Sequence, residues 1–592
     1  MSAIQMLMPS MAAEVSPAKS SASSNASLDE KIAGAIEAIQ RHVKMGMTPI
    51  IAFSAGKDSS VTLSLAITAF RQLKAEGFNV PTLHVMHSDT LVENPALVGY
   101  NKRQLKKIEQ YSERSGLSIR VWVAKPGLSG DYLVSMIGGR TIASVGNNAK
   151  CQQSLKAVPM ARLRRLIRKE VAEQAGVKPA DAPLFSLIGT RFDESAARKR
   201  AMEARGESAL DAVEVMSGSG ELVLSPIAQF TEFDVFEYIG RVRSEQIECY
   251  DDFSELVAVY RSMNGGECMV NAYLAGKSQS SSPCSASGRS GCWACCRVSR
   301  DTSAENMIAS DSGEYRWMEP LNRFRNFLMA RHFDPAARCW LGRTVNEETG
   351  TVQLSPNSYS PAFTLQLLAL ALSIQANEQL AASKAGVPPR FTLLSLRQVI
   401  AIDMLWGRYG YQKPFTALRI YKAVYEQGKR WRIPDVASMP TFTEKDIAFR
   451  GEVPFCDEEY NDVFNGLRNL SAAAADCESL TVTRSGALMT AVNEGAEFDV
   501  DEEGAELFWE FESDRALKRI GVTQAPSEVV HYFLGLGTVE LFKGTHGEWN
   551  RMLKLSNQIH RSGLTPILHD PQAIMARLGG GQVASGAQMP MF

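Results

Sequence analysis

Short apolar runs alternate with helical patterns in the first third of the chain. The runs predict four strands: TPIIAF at 48–53, TLHVMH at 82–87, LSIRVWVAK at 117–125 and LFSLIGT at 184–190. Apolar residues at helical spacing predict helices after Ser59, at 94–115 and at 158–173. Strands separated by helices indicate an α/β fold with a doubly wound parallel sheet, whose ligands bind at the carboxyl ends of the strands.

The pattern changes near residue 300. Helical spacing dominates beyond that point, with a buried helix predicted at 362–374 and a helical stretch at 392–428 broken near Gly407, Gly410 and Pro414. The acidic run at 494–506 is expected to form a solvated surface. We therefore predict a disordered N-terminus at 1–26, an α/β domain at 27–300 with a cysteine-rich loop at 277–300, a mostly α-helical domain at 301–575 and a flexible tail at 576–592.

Composition narrows the class of protein without naming a function. Of 592 residues, 45% are hydrophobic and 22% charged, and the net charge is −2. This balance is ordinary for a globular protein and leaves any nucleic-acid contact to a local basic patch. The sequence contains no recognisable signal peptide or membrane-spanning run, so its ten cysteines indicate free thiols or metal ligation in a reducing cytoplasm.

The stretch SAGKDSSVTL at 54–63 follows the first predicted strand and opens the next helix. A helix N-terminus at that position favours phosphate binding, because its N–H groups and dipole attract negative charge. A capped turn without a ligand explains the same residues equally well. The stretch is not a Walker loop, because Ile51 and Asp58 stand where that motif needs Gly and Ser or Thr. Asp89 and Arg191 follow two other predicted strands.

Four cysteines lie in a Ser/Gly-rich loop: Cys284, Cys292, Cys295 and Cys296. The C-x2-C spacing of Cys292 and Cys295 is typical of a thiolate chelate for zinc or an iron–sulfur cluster. Cys284 offers a third ligand, and the fourth is one of Cys151, Cys268 and Cys296. A structural zinc knuckle or a set of unligated buried thiols are the alternatives.

The stretch SAGKDSS at 54–60 resembles the PP-loop S-G-G-x-D-S of the ATP pyrophosphatase and PAPS reductase superfamily. A wider set of motifs resembles the DndC and SspD sulfurtransferases of bacterial DNA phosphorothioation, over roughly residues 50–330. Those motifs are SAGKDSS, SDTLVENP, KCQQSLKAVP, GTRFDESAARKR, SPIAQFTEFDVFEYI and GRSGCWACCRVSRDTS. Two departures stand out: Ala55 replaces the second glycine of the loop, which is strained if its φ is positive, and Cys296 directly follows the C-x2-C pair.

The resemblance implies roles for particular residues. Catalytic charges would be Lys57, Asp58 and Arg191, and Asp89 would be a magnesium or ribose contact. The nucleotide would contact Ser54, Ala55, Gly56, Lys57, Asp58, Ser59, Ser60, Asp89, Gly189 and Arg191. A [4Fe-4S] cluster, with zinc as the alternative metal, would be held by Cys151, Cys284, Cys292 and Cys295.

The resemblance also implies a reaction and partners. ATP with Mg²⁺ would adenylate a DNA backbone phosphate, releasing pyrophosphate, and sulfur from a cysteine desulfurase would replace a non-bridging oxygen. The chain would act in the cytoplasm with other subunits of a phage-defence complex, away from membranes. The alternatives are a reductase of adenylyl sulfate or phosphoadenylyl sulfate, a non-catalytic nucleotide-binding scaffold with structural zinc, and a tRNA-thiolation enzyme.

Two basic segments are candidate DNA contacts. The predicted helix at 158–173 carries Arg162, Arg165 and Lys169 on one face. The segment 421–432 interleaves basic and aromatic residues, which suits a single-stranded or frayed substrate; they are Lys422, Lys429, Arg430, Arg432, Tyr421, Tyr425 and Trp431. A solvated face over buried aromatics is the alternative for both segments.

Overall fold

The structure is a computed structural model of the chain. It describes residues 26–146, 150–214, 220–263, 291–310, 313–437, 451–455, 460, 462, 465–468, 480–482, 488–490, 497–519, 525–542 and 544–579. These residues form two compact units. The first comprises residues up to 52, 56–83 and 183–249, and the second comprises 53–55, 84–182 and the chain from 250 onward.

The first unit is built on a mostly parallel sheet. Its strands are β1 (Thr48–Ala52), β4 (Leu184–Leu187), β5 (Val213–Glu214) and β6 (Leu222–Leu224), and they lie in the order β1-β4-β6-β5. β1 pairs with β4 and β4 with β6 in parallel, whereas β5 is an antiparallel edge strand. Its helices are α1 (Leu28–Lys44), α2 (Lys57–Ala75), α7 (Ala196–Ala204) and α8 (Glu232–Arg243).

Helix α2 is the central helix of this unit. It packs against α1 and α8 and buries apolar residues on most of its surface, including Val61, Leu65 and Phe70. Its one buried hydroxyl contact with α8 joins Ser64 Oγ to Tyr238 OH at 2.7 Å. Helix α1 begins with the capping box that the sequence predicts, formed by Ser27 and Glu30. Its start is therefore fixed locally, whereas the position of α2 is fixed by burial.

The second unit contains the other two strands of α/β type, β2 (Leu83–Ser88) and β3 (Ile119–Ala124), which lie side by side. Its helices before residue 264 are α3 (Pro95–Ser115), α4 (Tyr132–Ile137), α5 (Lys150–Gln152), α6 (Val158–Ala175) and α9 (Ser254–Met263). A π-helical turn, Gln153–Ala157, joins α5 to α6. All four predicted strands are present within two residues of their predicted starts. The α/β class with a mostly parallel sheet is confirmed.

The C-terminal part of the second unit is mainly helical, as predicted. Its helices are α10 (Thr302–Ile308), α11 (Glu319–Arg331), α12 (Pro361–Ala385), α13 (Leu396–Tyr409), α14 (Thr416–Tyr425), α15 (Glu502–Leu507), α16 (Ser513–Lys518), α17 (Glu528–Leu536), α18 (His546–Arg561) and α19 (Pro571–Leu578). Helix α12 contains the predicted buried helix at 362–374. In the part of the chain that the structure describes, no helix is both long and apolar enough to cross a lipid bilayer.

This region also contains strands that the sequence analysis missed. β7 (Arg338–Asn346), β8 (Thr351–Tyr359) and β9 (Glu452–Pro454) form an antiparallel sheet. Two short pairs follow, Leu480–Val482 with Leu488–Thr490 and Phe498–Val500 with Val539–Leu541. The hairpin of β7 and β8 was missed because polar residues interrupt the alternation of apolar residues in both strands.

The prediction of a solvated acidic surface at 494–506 is wrong for residues 497–500, whereas Asp501, Glu502, Glu503 and Glu506 are exposed as predicted. Phe498 and Val500 are each 1% exposed. Glu497 binds two arginines, Arg140 through one carboxylate oxygen and Arg408 through the other, the latter at 2.8 Å. Because Arg408 is buried, it requires a carboxylate partner. Glu497 supplies that carboxylate, directly before the buried residue Phe498.

The predicted break near residues 407–414 is confirmed. Helix α13 ends at Gly410, whose φ is 69°, and α14 begins after Phe415. Gly407 lies inside α13, where an added Cβ would be 2.4 Å from Val529 Cγ1. The carboxylate of Asp403 accepts hydrogen bonds from the backbone N–H groups of Ala417 and Leu418, at 3.1 and 3.3 Å, and so caps the next helix. Burial raises the pKa of Asp403 to about 7.

This buried cap predicts a pH-dependent stability. The pKa of Asp403 is higher in the folded state than in the unfolded state, so the folded state keeps a proton that the unfolded state loses. Stability should therefore fall as pH rises from about 4 to about 7, by roughly 4 kcal/mol at most. Asp403→Asn should flatten this part of the profile of urea midpoint against pH. Ser395→Ala, which removes a non-titrating cap of α13, should lower the midpoint equally at every pH. Parallel profiles for wild type and Asp403→Asn would contradict the prediction.

Candidate functional site

The loop between β1 and α2 has the geometry of a strand-to-helix turn. Gly56 is the N-cap of α2, and it supplies no side chain to cap the helix. The hydroxyl of Ser59 donates to Gly56 O at 3.0 Å. Ser54 is exposed, and the hydroxyl oxygen of Ser60 is buried without a hydrogen-bond partner among the described residues. The loop thus leaves the first turn of a 19-residue helix without a side-chain cap at its N-cap position.

Ala55 adopts a left-handed conformation, with a φ of 58°. The residue is 2% exposed. An alanine in this region costs about 1 kcal/mol relative to glycine, because its Cβ approaches the backbone. The replacement of the second glycine of the PP-loop is therefore strained rather than neutral, and the packed surroundings hold the residue in this conformation.

Three predicted catalytic residues lie together in the first unit. Arg191 Nε donates to Asp58 Oδ1 at 2.7 Å, and Lys57 Nζ is 3.5 Å from Asp58 Oδ2. Arg191 is 3% exposed, and its Nη1 has no hydrogen-bond partner among the described residues. Asp193 Oδ2 lies 3.6 Å from that Nη1, beyond hydrogen-bond distance. A buried guanidinium donor that lacks a hydrogen-bond partner in the described part of the chain is suited to an anionic ligand.

Gly189 lies at the end of β4 beside the first turn of α2. A Cβ at this position would be 2.8 Å from Thr62 Oγ1 and 2.9 Å from Asp58 O. Any side chain would push β4 away from the helix and displace Arg191, two residues later. The structure therefore gives Gly189 a packing role, and its predicted contact with nucleotide stays a prediction.

Asp89 lies in the second unit, after β2. Its Oδ1 accepts from Leu91 N at 3.0 Å, and its Oδ2 is 3.8 Å from Lys125 Nζ. The first contact closes a local turn at Leu91, whose φ is 65°. Asp89 thus shapes the segment after the strand, and its predicted magnesium or ribose contact is not tested by this arrangement.

The cysteine segment packs on that same segment of the second unit. Cys292 forms a β-bridge with Glu93, and Trp293 N donates to Val92 O at 2.9 Å. Cys295 N donates to Cys292 O at 2.9 Å, which makes the C-x2-C stretch a tight turn. The motif D-T-L-V-E and the motif G-C-W-x-C are therefore in direct backbone contact.

The thiols do not complete a metal site in the described part of the chain. No three His, Cys, Asp or Glu side chains there are grouped as metal ligands. Cys151 is half-buried in α5, and Cys284 and Cys268 lie outside the described residues. Burial raises the pKa of the Cys292 thiol to about 11 and that of Cys296 to about 12. A metal or cluster would have to displace these protons, and the described residues do not supply a group of three ligands for it.

Arg325, which the sequence pattern did not single out, holds this segment through its side chain, and Glu93 pairs with it through the backbone. Arg325 on α11 is 1% exposed and donates to three carbonyls: Cys295 O at 2.9 Å, Ser299 O at 3.0 Å, and Val298 O. Glu93 lies 3.7 Å from Lys156 Nζ, and burial raises its pKa. The sequence did contain a signal for Arg325. It is a charged residue on the same helical face as the apolar Leu321 and Leu328, which indicates a buried arginine with specific partners.

The two basic segments differ in how far their charged side chains are paired with other groups of the protein. On α6, Arg162, Arg165 and Lys169 are all exposed and share one face. In the second segment, Tyr421 and Tyr425 pack on each other with ring centroids 4.5 Å apart. The cations Lys422 and Arg430 are engaged within the unit, by Asp514 at 2.5 Å and by Val424 O at 2.7 Å. Lys429, Trp431 and Arg432 are exposed in this segment, so both segments present basic residues at the surface.

Comparison with known proteins finds a similarity in the α/β part of the chain. Residues 48–272 match the phosphoadenosine phosphosulfate reductase domain, a range that holds less than half of the chain but includes Lys57, Asp89, Cys151 and Arg191. Among solved structures, U34-tRNA thiolase NcsA from Methanococcus maripaludis with its [4Fe-4S] cluster is 13% identical, over 42% of this chain and 78% of that chain, with a TM-score of 0.22. No curated protein matches the chain.

Arg325 provides a test of how the cysteine segment is held. Arg325→Met keeps the length of the side chain but leaves three carbonyls without their donor, at a cost of about 1 to 3 kcal/mol. Trypsin should then cleave after Arg297 and Arg300 about tenfold faster or more, as followed by mass spectrometry. Arg323→Met, on the exposed side of the same helix, is the matched control. Equal cleavage rates in the two variants would show that Arg325 does not hold the segment.

Proposed function

We propose that the chain is an ATP pyrophosphatase and sulfurtransferase that adenylates a DNA backbone phosphate, so that sulfur can replace a non-bridging oxygen. The observation that carries this proposal is the grouping of Lys57, Asp58 and Arg191 at the start of α2, with a buried guanidinium nitrogen that has no hydrogen-bond partner among the described residues. The match of residues 48–272 to a domain named for a phosphorylated adenylyl sulfate supports a nucleotide ligand.

Each of the three residues has a separate part in the proposed site. Arg191 is fixed by its bond to Asp58, so its remaining donors are oriented before any ligand arrives. Lys57 supplies a second positive charge in the first turn of α2, where the helix dipole also favours phosphate. Asp58 is the positioning residue, because it contacts both cations and does not itself suit a phosphate.

The proposed first step transfers an adenylyl group. A non-bridging oxygen of the DNA phosphodiester attacks the α-phosphorus of ATP, forming the new P–O bond, and pyrophosphate leaves. Charge builds up on the phosphate oxygens, and Lys57 and Arg191 stabilise it; such reactions depend mainly on positioning and electrostatics. Magnesium bound to the triphosphate would neutralise part of the leaving group's charge.

The proposed second step introduces sulfur. The terminal sulfur of a persulfide, supplied by a cysteine desulfurase, attacks the activated DNA phosphorus, and AMP leaves with the original oxygen. A second thiol then cleaves the S–S bond, so that the phosphorothioate and a disulfide are formed. Cys151, Cys284, Cys292 and Cys295 remain the proposed ligands of a [4Fe-4S] cluster or zinc. Because the described cysteines do not complete a metal site, no step is assigned to it.

The acceptor and the partners are also part of the proposal. The exposed basic face of α6 is the proposed DNA contact, since DNA binding requires a local patch on a chain whose net charge is −2. A cysteine desulfurase and further subunits of a phosphorothioation complex are the proposed protein partners.

A reductase of phosphoadenylyl sulfate or adenylyl sulfate is the second candidate, because the matching domain carries that name. Such an enzyme releases sulfite and needs a redox-active cysteine near the nucleotide. Sulfite release without pyrophosphate release would favour the reductase. A scaffold with structural zinc would release neither product.

The nucleotide site predicts a specific loss of turnover. With ATP and DNA, the chain should form AMP and pyrophosphate, and Lys57→Met or Asp58→Asn should slow this by about 100-fold or more, as is typical for loss of a transition-state donor or of its orientation. Separation of labelled nucleotides distinguishes AMP from ADP. Lys74→Met, in the last turn of the same helix, is the control and should keep full turnover. Formation of ADP, or unchanged rates in the Lys57 and Asp58 variants, would contradict the assignment.

The basic face of α6 predicts a salt-dependent affinity for DNA. Combined Arg162→Glu and Arg165→Glu should weaken binding and reduce the slope of log affinity against log salt by about two. Lys102→Glu with Lys106→Glu, exposed on α3, is a matched charge control. Fluorescence anisotropy with single-stranded and duplex DNA, and with tRNA, measures the slope for each acceptor. An unchanged slope in the α6 variant would remove α6 from the proposed interface, and tighter binding to tRNA would favour RNA as acceptor.

A further inference from the structure

The ammonium group of Lys57 lies between two carboxylates and an aromatic ring. Its Nζ is 3.5 Å from Asp58 Oδ2, 3.5 Å from Glu232 Oε1 and 6.0 Å from the ring centroid of Phe236. Glu232 is the first residue of α8, and the sequence analysis assigned it no role. Its side chain is 32% exposed, whereas that of Lys57 is 10% exposed. The more exposed partner of this ion pair is therefore the carboxylate.

The charges around the proposed phosphate site do not favour an anion as they stand. Among the described residues, the site has two cations, Lys57 and Arg191. Three carboxylates contact them: Asp58 binds both, Glu232 lies near Lys57, and Asp193 lies near Arg191. The sum of these five charges is negative before any phosphate binds. One carboxylate must move away, or a divalent cation must arrive with the phosphate, for the ligand to be held well.

The three carboxylates are held to different degrees. Asp58 accepts a 2.7 Å bond from buried Arg191. Asp193 accepts from Glu232 N at 3.0 Å. The carboxylate of Glu232 has only its 3.5 Å contact with Lys57 in the described part of the chain. It does not cap α8 either, because Thr231 and Asp234 form that capping box. Of the three carboxylates, Glu232 is thus the one whose displacement from the site requires the least free energy.

We propose that Glu232 is a displaceable counter-ion, which holds Lys57 in place while the site is free and gives way to a phosphate group of the nucleotide. The inference rests on the proposed function, because it takes a nucleotide phosphate as the group that replaces the carboxylate. A phosphate and a carboxylate are alternative partners for one ammonium group, so the two compete. The negative sum of charges favours magnesium-bound polyphosphates over free anions. Asp58 and Asp193 stay in the site, and the metal offsets their repulsion of the phosphate.

The test is the affinity of Glu232→Gln for ATP and for inorganic pyrophosphate, measured by isothermal titration calorimetry with Mg²⁺ and with EDTA. Removing the competing charge should tighten binding about three- to tenfold. The gain should be larger in EDTA, where no metal offsets the repulsion. Glu237→Gln on the same helix, which loses an ion pair with Arg241 instead, should bind like wild type.

A double-mutant cycle separates competition for Lys57 from a general change of charge. In a Lys57→Met background, Glu232→Gln should give much less gain, because the ammonium group for which both anions compete is absent. Glu232→Asp keeps the charge on a shorter side chain and should bind ATP with an affinity between those of wild type and Glu232→Gln. Melting temperatures check that each variant is folded.

The outcomes distinguish this inference from the proposed function. Weaker binding in Glu232→Gln would mean that the carboxylate contacts the ligand or its metal, and unchanged binding would mean that it does not compete; either result overturns the inference while leaving the nucleotide site intact. Absence of ATP binding and of pyrophosphate release in wild type would instead overturn the proposed function.

Discussion

The bond between Arg191 and Asp58 is the interaction on which the candidate site depends. A guanidinium that is 3% exposed has lost most of its hydration, and a carboxylate 2.7 Å away compensates for that loss. Asp58 lies in the first turn of α2, so this one bond ties the end of β4 to the start of α2. Gly189 allows the approach, because any Cβ there would collide with the backbone of Asp58. Without this pair, neither the direction of Arg191 nor the position of Lys57 would be fixed before a ligand binds.

The sequence predicted those features that local pattern decides. The four strands, the capping box of α1, the buried helix α12 and the break at Gly410 follow from spacing and from cap and turn residues, and the structure confirms each. The strand pattern also placed Asp89 and Arg191 after predicted strands, and the resemblance to PP-loop proteins implied Lys57, Asp58 and Arg191 as the catalytic set. The sequence could not decide the conformation of Ala55, because its positive φ depends on packing around the loop.

Where a prediction from the sequence was wrong or incomplete, the reason is a contact between residues that are distant in sequence. The acidic run at 494–506 has a composition typical of a protein surface, yet buried Arg408, distant in sequence, binds Glu497 at the point where the chain enters the core at Phe498. Arg325 resembles any arginine of an amphipathic helix until its three carbonyl partners are seen. In the cysteine segment, the spacing of Cys292 and Cys295 indicated a chelate, but the Ser-rich stretch with Cys284 lies outside the described residues. Backbone contacts with Val92 and Glu93, rather than thiols, define the described part of that segment.

The most direct test of the account is a crystal structure of the chain with magnesium and an ATP analogue whose α,β-bridging oxygen is replaced by a methylene group. We expect phosphate oxygens within hydrogen-bond distance of Arg191 Nη1 and Lys57 Nζ. The bond from Arg191 Nε to Asp58 should be retained, and the carboxylate of Glu232 should be turned away from Lys57. An analogue bound elsewhere, or bound at the start of α2 with Arg191 Nη1 still lacking a partner, would contradict the assignment of this site.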